Sequence, residues 1–291
     1  MRLSVRRIVG ILDFAVLSLV IYSSHPAVGA DLPGRPGKVY LVGMGPGDAE
    51  LVTFKAAKAL TDADCVFCFR YLKEEVARYV PQAKITVASP LLMGRACGRN
   101  PADLPPEMRK ELEQSQEDLA QFVVKVRKLV AAGKIVIFAD AGDPTLYCPW
   151  SWITEEFADL QPAVVPGLSS FNAGNAALKQ SITRNSGSVL ISAGEDLGRP
   201  DKDGRLHMTL VLFTHRAKLK ELAPQLLGRY PADTPAAVVC EASYPTQRVV
   251  WATLGTILEK TAGERLPHLY LVYVGDGLKA PATSPTVQKH D

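Results

Sequence analysis

The sequence predicts an α/β protein of two domains, the first built on a mainly parallel sheet and the second on a sheet of different construction. From Lys38 onward, short β-branched runs alternate with amphipathic helical stretches, which is how a chain of β-α units reads. After about residue 187 the strands follow one another with few helices between them, which implies antiparallel pairing. The length of 291 residues, with 47% hydrophobic and 22% charged content, is enough for two domains of ordinary size.

The first thirty residues stand apart from this pattern. Arg2, Arg6 and Arg7 precede a mostly apolar run, 8–22, and small residues then lead to AVGA at 27–30. That is the order of a signal peptide cleaved after Ala30, or of an uncleaved membrane anchor, although Asp13 sits awkwardly in the apolar run. Residues 1–30 are therefore expected to send the protein to the periplasm or otherwise out of the cytoplasm; a misassigned start would leave it cytoplasmic.

Strands are expected at KVYLVG (38–43), CVFCF (65–69), KITV (84–87), KIVIFAD (134–140) and AVVPG (163–167), with β-branched content suited to burial on both sheet faces. Between them lie helical stretches: FKAAKAL behind the N-cap Thr53, YLKEEVARYV (71–80), and 106–132, where Leu112, Leu119, Phe122, Val126, Leu129 and Val130 recur at helical spacing until Gly133. The intervening segment 88–107 is an irregular loop carrying Arg95 and Arg99. The second series comprises SVLISAG (188–194), MTLVLFT (208–214), AAVVCE (236–241), QRVVWATL (247–254) and HLYLVYVG (268–275), with one clear helix at 215–230 and a shorter one near 256–262. The domains thus read as 37–166 and 167–277, followed by a loose tail, 278–291.

The formal charge of +3, most of it in the leader, gives no case for a nucleic-acid partner or an anionic membrane surface. A membrane is involved only through an uncleaved leader. The five cysteines include a CxxC at Cys65 and Cys68, but Phe69 stands where haem attachment needs His. Two buried thiols on a strand are the plainer reading, and no second CxxC or His-rich cluster indicates a metal.

Three loops follow strands of the first series and combine glycine with proline: GMGPGD (43–48), AGDPTLY (141–147) and PGLSS (166–170). The first is not a dinucleotide fingerprint, because Asp48 replaces the third glycine and Pro46 removes a donor where a pyrophosphate would need one. A plain strand-to-helix turn stays open for this loop taken alone. Three such loops at the carboxyl ends of strands indicate a ligand site, and their lack of phosphate donors indicates a ligand without phosphates.

With these motifs in this order, VGMGPGDAELVTFKAAKAL, AGDPTLY, VVPGLSSFNA and TPAAVVCEASYPTQRVVWATLGTI, the chain resembles the tetrapyrrole (corrin/porphyrin) methylases across about residues 38–275. The resemblance implies the two-domain tetrapyrrole-methylase fold, usually a homodimer, with S-adenosyl-L-methionine in a cleft between domains and a tetrapyrrole-like substrate. It also implies cofactor contacts at Pro46, Ala141, Gly142, Asp143, Leu146, Ser169 and Ser170. Thr214, where many members have a methionine, Ala242 and His268 are further contacts it implies.

Asp48 is the candidate catalytic residue, or else a cap for the following turn. Arg95 and Arg99 are candidate partners for substrate carboxylates, or else solvated charges. An activated sulfonium needs positioning more than machinery, so no metal is expected. The functional expectation is an S-adenosylmethionine-dependent methyltransferase; the alternative is an exported tetrapyrrole- or cofactor-binding protein on the same scaffold without turnover.

Overall fold

The computed structural model describes residues 36–89, 92, 106–183, 187–215, 217–263, 266–267 and 270–281, with side chains in the helix opening at Pro106 described from residue 116. The leader, Arg95, Arg99 and His268 lie outside the described residues.

Five parallel strands form the first sheet, in the order β3-β2-β4-β1-β5: β1 (Lys38–Gly43), β2 (Cys65–Cys68), β3 (Ile85–Val87), β4 (Ile135–Asp140) and β5 (Ala163–Val165). The central strand β4 is buried along its whole length, as its unbroken apolar run requires when both sheet faces are covered. One face packs on α1 (Phe54–Thr61) and α2 (Lys73–Val76) through Val42, Val66 and Ile137 against Leu60 and Val76. The other packs on α3 (Pro106–Ala131) and α4 (Ile153–Glu156) through Leu41, Phe67 and Phe138 against Val126 and Ile153. Burial on both faces does not extend to β5: it pairs with β1 alone, and Val164 is exposed. Cys65 and Cys68 sit three residues apart on β2 and join opposite core faces, because strand side chains alternate. Both are free thiols, and burial pushes Cys68 up to about 11.

The helix expected over 71–80 is shortened to a 3-10 turn, Arg70–Leu72, that runs into the single α-helical turn of α2. Arg78 and Tyr79 donate to the carbonyls of Glu75 and Val76, three residues back, so the chain tightens and ends before Pro81.

The second sheet has the order β6-β7-β10-β8-β9, with β6 (Val189–Ser192), β7 (Thr209–Phe213), β8 (Pro235–Cys240), β9 (Arg248–Thr253) and β10 (Tyr270–Val274). All neighbours are antiparallel except β6 and β7, which run parallel. Adjacency in sequence therefore misleads here, since residues 193–208 cross over without a described helix. One face packs on α6 (Leu219–Leu227) and α7 (Ile257–Ala262), and the other on α5 (Ser170–Leu178). Helix α6 begins at Leu219 rather than His215, where Glu221 reaches back to the Lys218 amide and the Tyr270 hydroxyl accepts from the Leu219 amide.

Candidate functional site

The loops that end β1, β4 and β5 meet at the carboxyl edge of the first sheet. Strands β1 and β4 are neighbours, yet the chain leaves β1 for a helix on one face and β4 for a helix on the other. Such a switch point opens a crevice at that edge.

Inside it the three loops touch mainly through backbone, with the Pro144 ring against Gly43. Gly142 donates to the Gly45 carbonyl at 2.7 Å, and Gly45 donates back at 3.4 Å. A Cβ on Gly43 would lie 2.5 Å from the Gly142 oxygen and 2.7 Å from the Gly167 nitrogen, and one on Gly167 would lie 2.2 Å from that same oxygen. No real Cβ approaches backbone so closely, so these glycines permit the convergence. Gly142 also sits at φ 75°, a conformation glycine adopts without steric penalty.

Several expected contact residues lie on this crevice. Ser169 is buried and caps α5: its Oγ accepts from the Phe171 amide at 3.2 Å while Asn172 Oδ1 accepts from the Ser169 amide at 3.1 Å. Ser170 opens that helix. Asp143 Oδ1 accepts from the Thr145 amide and hydroxyl at 2.8 and 2.7 Å, which folds the loop carrying Ala141 and Leu146 back on itself.

Asp48 does cap the turn that follows it: Oδ1 accepts from the Glu50 amide at 2.9 Å. Its Oδ2 makes no hydrogen bond among the described residues, so the cap leaves one oxygen available. The Asp48 amide donates to Ser243 Oγ at 3.2 Å, which ties the first loop to the turn between β8 and β9. That turn holds Glu241 and Ser243 at φ 47° and 75°, a strained conformation for residues with side chains. Ala242 lies between them, and Tyr244 covers Gly47 so closely that a Cβ there would meet its ring at 2.2 Å.

Thr214 directly follows β7. Its hydroxyl is buried and donates to the Tyr270 carbonyl at 2.7 Å, so the side chain serves the second sheet. The side chains that reach the AGDPTLY loop from this segment are those of Phe213 and His215, each with its ring centroid 5.1 Å from that of Tyr147. Tyr147 is itself left-handed at φ 57°.

Residues beyond those singled out in the sequence also gather at this edge. Asp140 ends β4 fully buried and accepts from the Tyr71 hydroxyl at 2.9 Å, from the Cys148 thiol and from the Ala141 amide. Burial raises the Asp140 carboxyl above its ordinary value despite these bonds. Burial first, then the Asp140 charge, raises both the Tyr71 hydroxyl and the Cys148 thiol. The partners are 69 residues apart, and no local pattern links them. Among the described residues, no group of three His, Cys, Asp or Glu is placed to hold a metal ion.

A switch-point crevice with proline in every loop, bounded by a turn from a second sheet, defines a two-domain α/β enzyme that binds a ligand without phosphates. The sequence matches the family of Tetrapyrrole (Corrin/Porphyrin) Methylases over residues 38–258, and the chain belongs to that family. A precorrin-4 C(11)-methyltransferase of Mycobacterium tuberculosis is 30% identical over 83% of this chain and 92% of its own length. The fold is similar to that of a cobalt precorrin-4 methyltransferase, with a TM-score of 0.63 at 21% identity over 86% of this chain and all of the other. It is also similar to uroporphyrin-III C-methyltransferase of Thermus thermophilus in complex with S-adenosylhomocysteine, with a TM-score of 0.55 at 25% identity, covering 83% and 93% of the two chains. The protein is an S-adenosylmethionine-dependent methyltransferase.

The crevice fits that cofactor. A Cβ on Gly142 would stand at ordinary van der Waals distance, 3.8 to 4.0 Å, from the Ser170 nitrogen, Ser169 Cα and the Leu168 carbonyl oxygen, so the loop after β4 packs directly on the start of α5. Pro46, Pro144 and Pro166 withhold the successive donors a phosphate needs, which suits a cofactor that carries no phosphate.

Proposed function

We propose that this methyltransferase acts on a carbon atom of a tetrapyrrole of the class named in its relatives, precorrin-4 or uroporphyrinogen III. The carrying observation is the 30% identity to precorrin-4 C(11)-methyltransferase over most of both chains; a uroporphyrinogen-III C-methyltransferase of Methanocaldococcus jannaschii is 27% identical.

In this reading the cofactor lies against Pro46, Ala141, Gly142, Asp143, Leu146, Ser169 and Ser170, with Ala242, His268 and the Thr214 backbone as further contacts. When bound, it supplies a methyl group already activated on sulfonium. The glycine loops fix the direction of approach by holding three backbone segments in mutual contact, so orientation is built before the ligands arrive. Asp48 presents Oδ2 toward the acceptor and takes the proton released when the new carbon–carbon bond forms. Arg95 and Arg99 pair with the acceptor's carboxylates. The enzyme works as a homodimer, and its N-terminal leader carries it out of the cytoplasm.

Incubating the purified chain with S-adenosylmethionine and either uroporphyrinogen III or precorrin-4 tests the substrate class by mass spectrometry. A methylated tetrapyrrole, with S-adenosylhomocysteine released, is the expected result. Binding of S-adenosylhomocysteine without methylation of either acceptor overturns it.

A further inference from the structure

We infer that Glu75 and Arg78 form a subsite for the methyl acceptor beside the first glycine loop, with Glu75 accepting a pyrrole N–H and Arg78 meeting a peripheral carboxylate. The inference rests on the tetrapyrrole reading above.

A small pocket open to solvent lies between the loop after β1 and the segment around α2. Met44, Leu72 and Gly47 form apolar walls, Tyr244 closes it from the turn between β8 and β9, Glu75 enters it from α2 and Arg78 from the tightened turn that follows. Glu75 Oε2 is buried with no hydrogen-bond partner. A buried carboxylate oxygen left in that state is unfavourable unless a ligand supplies the donor. Arg78 stands three residues further on and lines the same pocket, yet no ion pair joins the two. Opposite charges one helical turn apart ordinarily pair across it. Kept apart around a cavity, they match a ligand that brings a nitrogen donor and a carboxylate of its own.

Two sources share that chemistry: a flexible reduced tetrapyrrole, whose tilted rings offer N–H donors on one face and carboxylates at the periphery, and the amino-acid end of the cofactor. The placement favours the tetrapyrrole. Of the residues expected at the cofactor, only Ala141 lines the pocket, while Asp143, Leu146, Ser169 and Ser170 do not. The roof residue Tyr244 adjoins Ser243, which accepts from the amide of Asp48. A ring held between Glu75 and Tyr244 is thereby held beside the residue proposed to take its proton.

The test uses Glu75→Met, which keeps the side-chain volume but removes the orphaned oxygen, and Arg78→Met. Binding of uroporphyrinogen III, kept reduced under anaerobic conditions so that its pyrrole N–H groups can tilt and donate, is read by calorimetry, as is binding of S-adenosylhomocysteine. Each substitution is expected to weaken uroporphyrinogen about tenfold, the loss of one charge-assisted bond, and to leave S-adenosylhomocysteine unchanged. Glu75→Met is also expected to melt no lower than wild type, because it removes an unsatisfied group; a residue serving only structure would melt lower. Unchanged uroporphyrinogen binding, or weakened S-adenosylhomocysteine binding with uroporphyrinogen intact, overturns the subsite alone. A wild-type protein that binds S-adenosylhomocysteine but not uroporphyrinogen overturns the tetrapyrrole reading as well.

Discussion

Replacing Gly167 by alanine isolates the contact on which the crevice depends. Gly167 lies outside the left-handed region, so alanine is conformationally acceptable there, and its smaller unfolded-state entropy alone would stabilise the fold by about 0.4–1 kcal/mol. Against this, the new Cβ would stand 2.2 Å from the Gly142 oxygen and 2.8 Å from the Gly43 carbonyl carbon. Carbon–oxygen contacts normally begin at about 3.3 Å, so the loops must separate by roughly 1 Å, and both obstacles are backbone. Overpacking of this kind costs about 1–3 kcal/mol, which leaves a net loss of about 1 kcal/mol and a melting temperature lower by about 2–4 °C for a chain of this size. Gly263→Ala is the matched control: Gly263 has φ −75° and nothing within 4 Å of a new Cβ, so it should gain the entropic term alone. Thermal melts of both variants, followed by calorimetry with S-adenosylhomocysteine, decide the matter. If Gly167→Ala melts at or above wild type and binds as tightly, the three loops do not meet as described.

Ser169→Ala removes the cap of α5 and should destabilise the protein by about 1 kcal/mol; because that helix starts at the crevice, S-adenosylhomocysteine should also bind more weakly by calorimetry. Equal melting and equal affinity would contradict the capping geometry. The Asp140 carboxyl, raised by burial, keeps a proton in the folded state that the unfolded chain has released. It therefore contributes stability at acid pH, below the ordinary carboxylate range, that is lost as pH rises through its raised folded value. The groups facing it are Tyr71, Cys148 and the Ala141 amide, and no cation is among them. Melting curves over that pH range should fall more steeply for wild type than for Asp140→Asn, which still accepts from Tyr71; parallel curves would refute the assignment.

The strands were legible because their apolar runs report burial directly, and the three glycine loops because the residue types that permit their contact occur in sequence beside them. Legibility failed where a distant partner decides the outcome. Nothing in YLKEEVARYV announces that its helical pattern yields only one α-helical turn, since the segment is cut short by its own tightened bonds and Pro81. Parallel pairing of β6 with β7 is set by the path between them rather than by either strand. The Tyr270 carbonyl, 56 residues on, accepts from the Thr214 hydroxyl, a bond that no local pattern signals.

The turn 241–244 shows the same limit at the site itself. Neither Glu241 nor Ser243 is a residue type that prefers positive φ, so local sequence argues against the conformation both adopt. The conformation is held by bonds that span the turn, with Ser243 donating its amide to Gln247 Oε1 at 2.8 Å and Tyr244 donating to the Glu241 carbonyl at 3.0 Å. Its result is that Ser243 reaches Asp48, 195 residues away, and Tyr244 reaches Gly47. Asp48 is thus positioned by its own cap from one side and by a strained turn of the other sheet from the second. A motif on the first sheet identifies the candidate base, but a turn of the second sheet determines where that base stands.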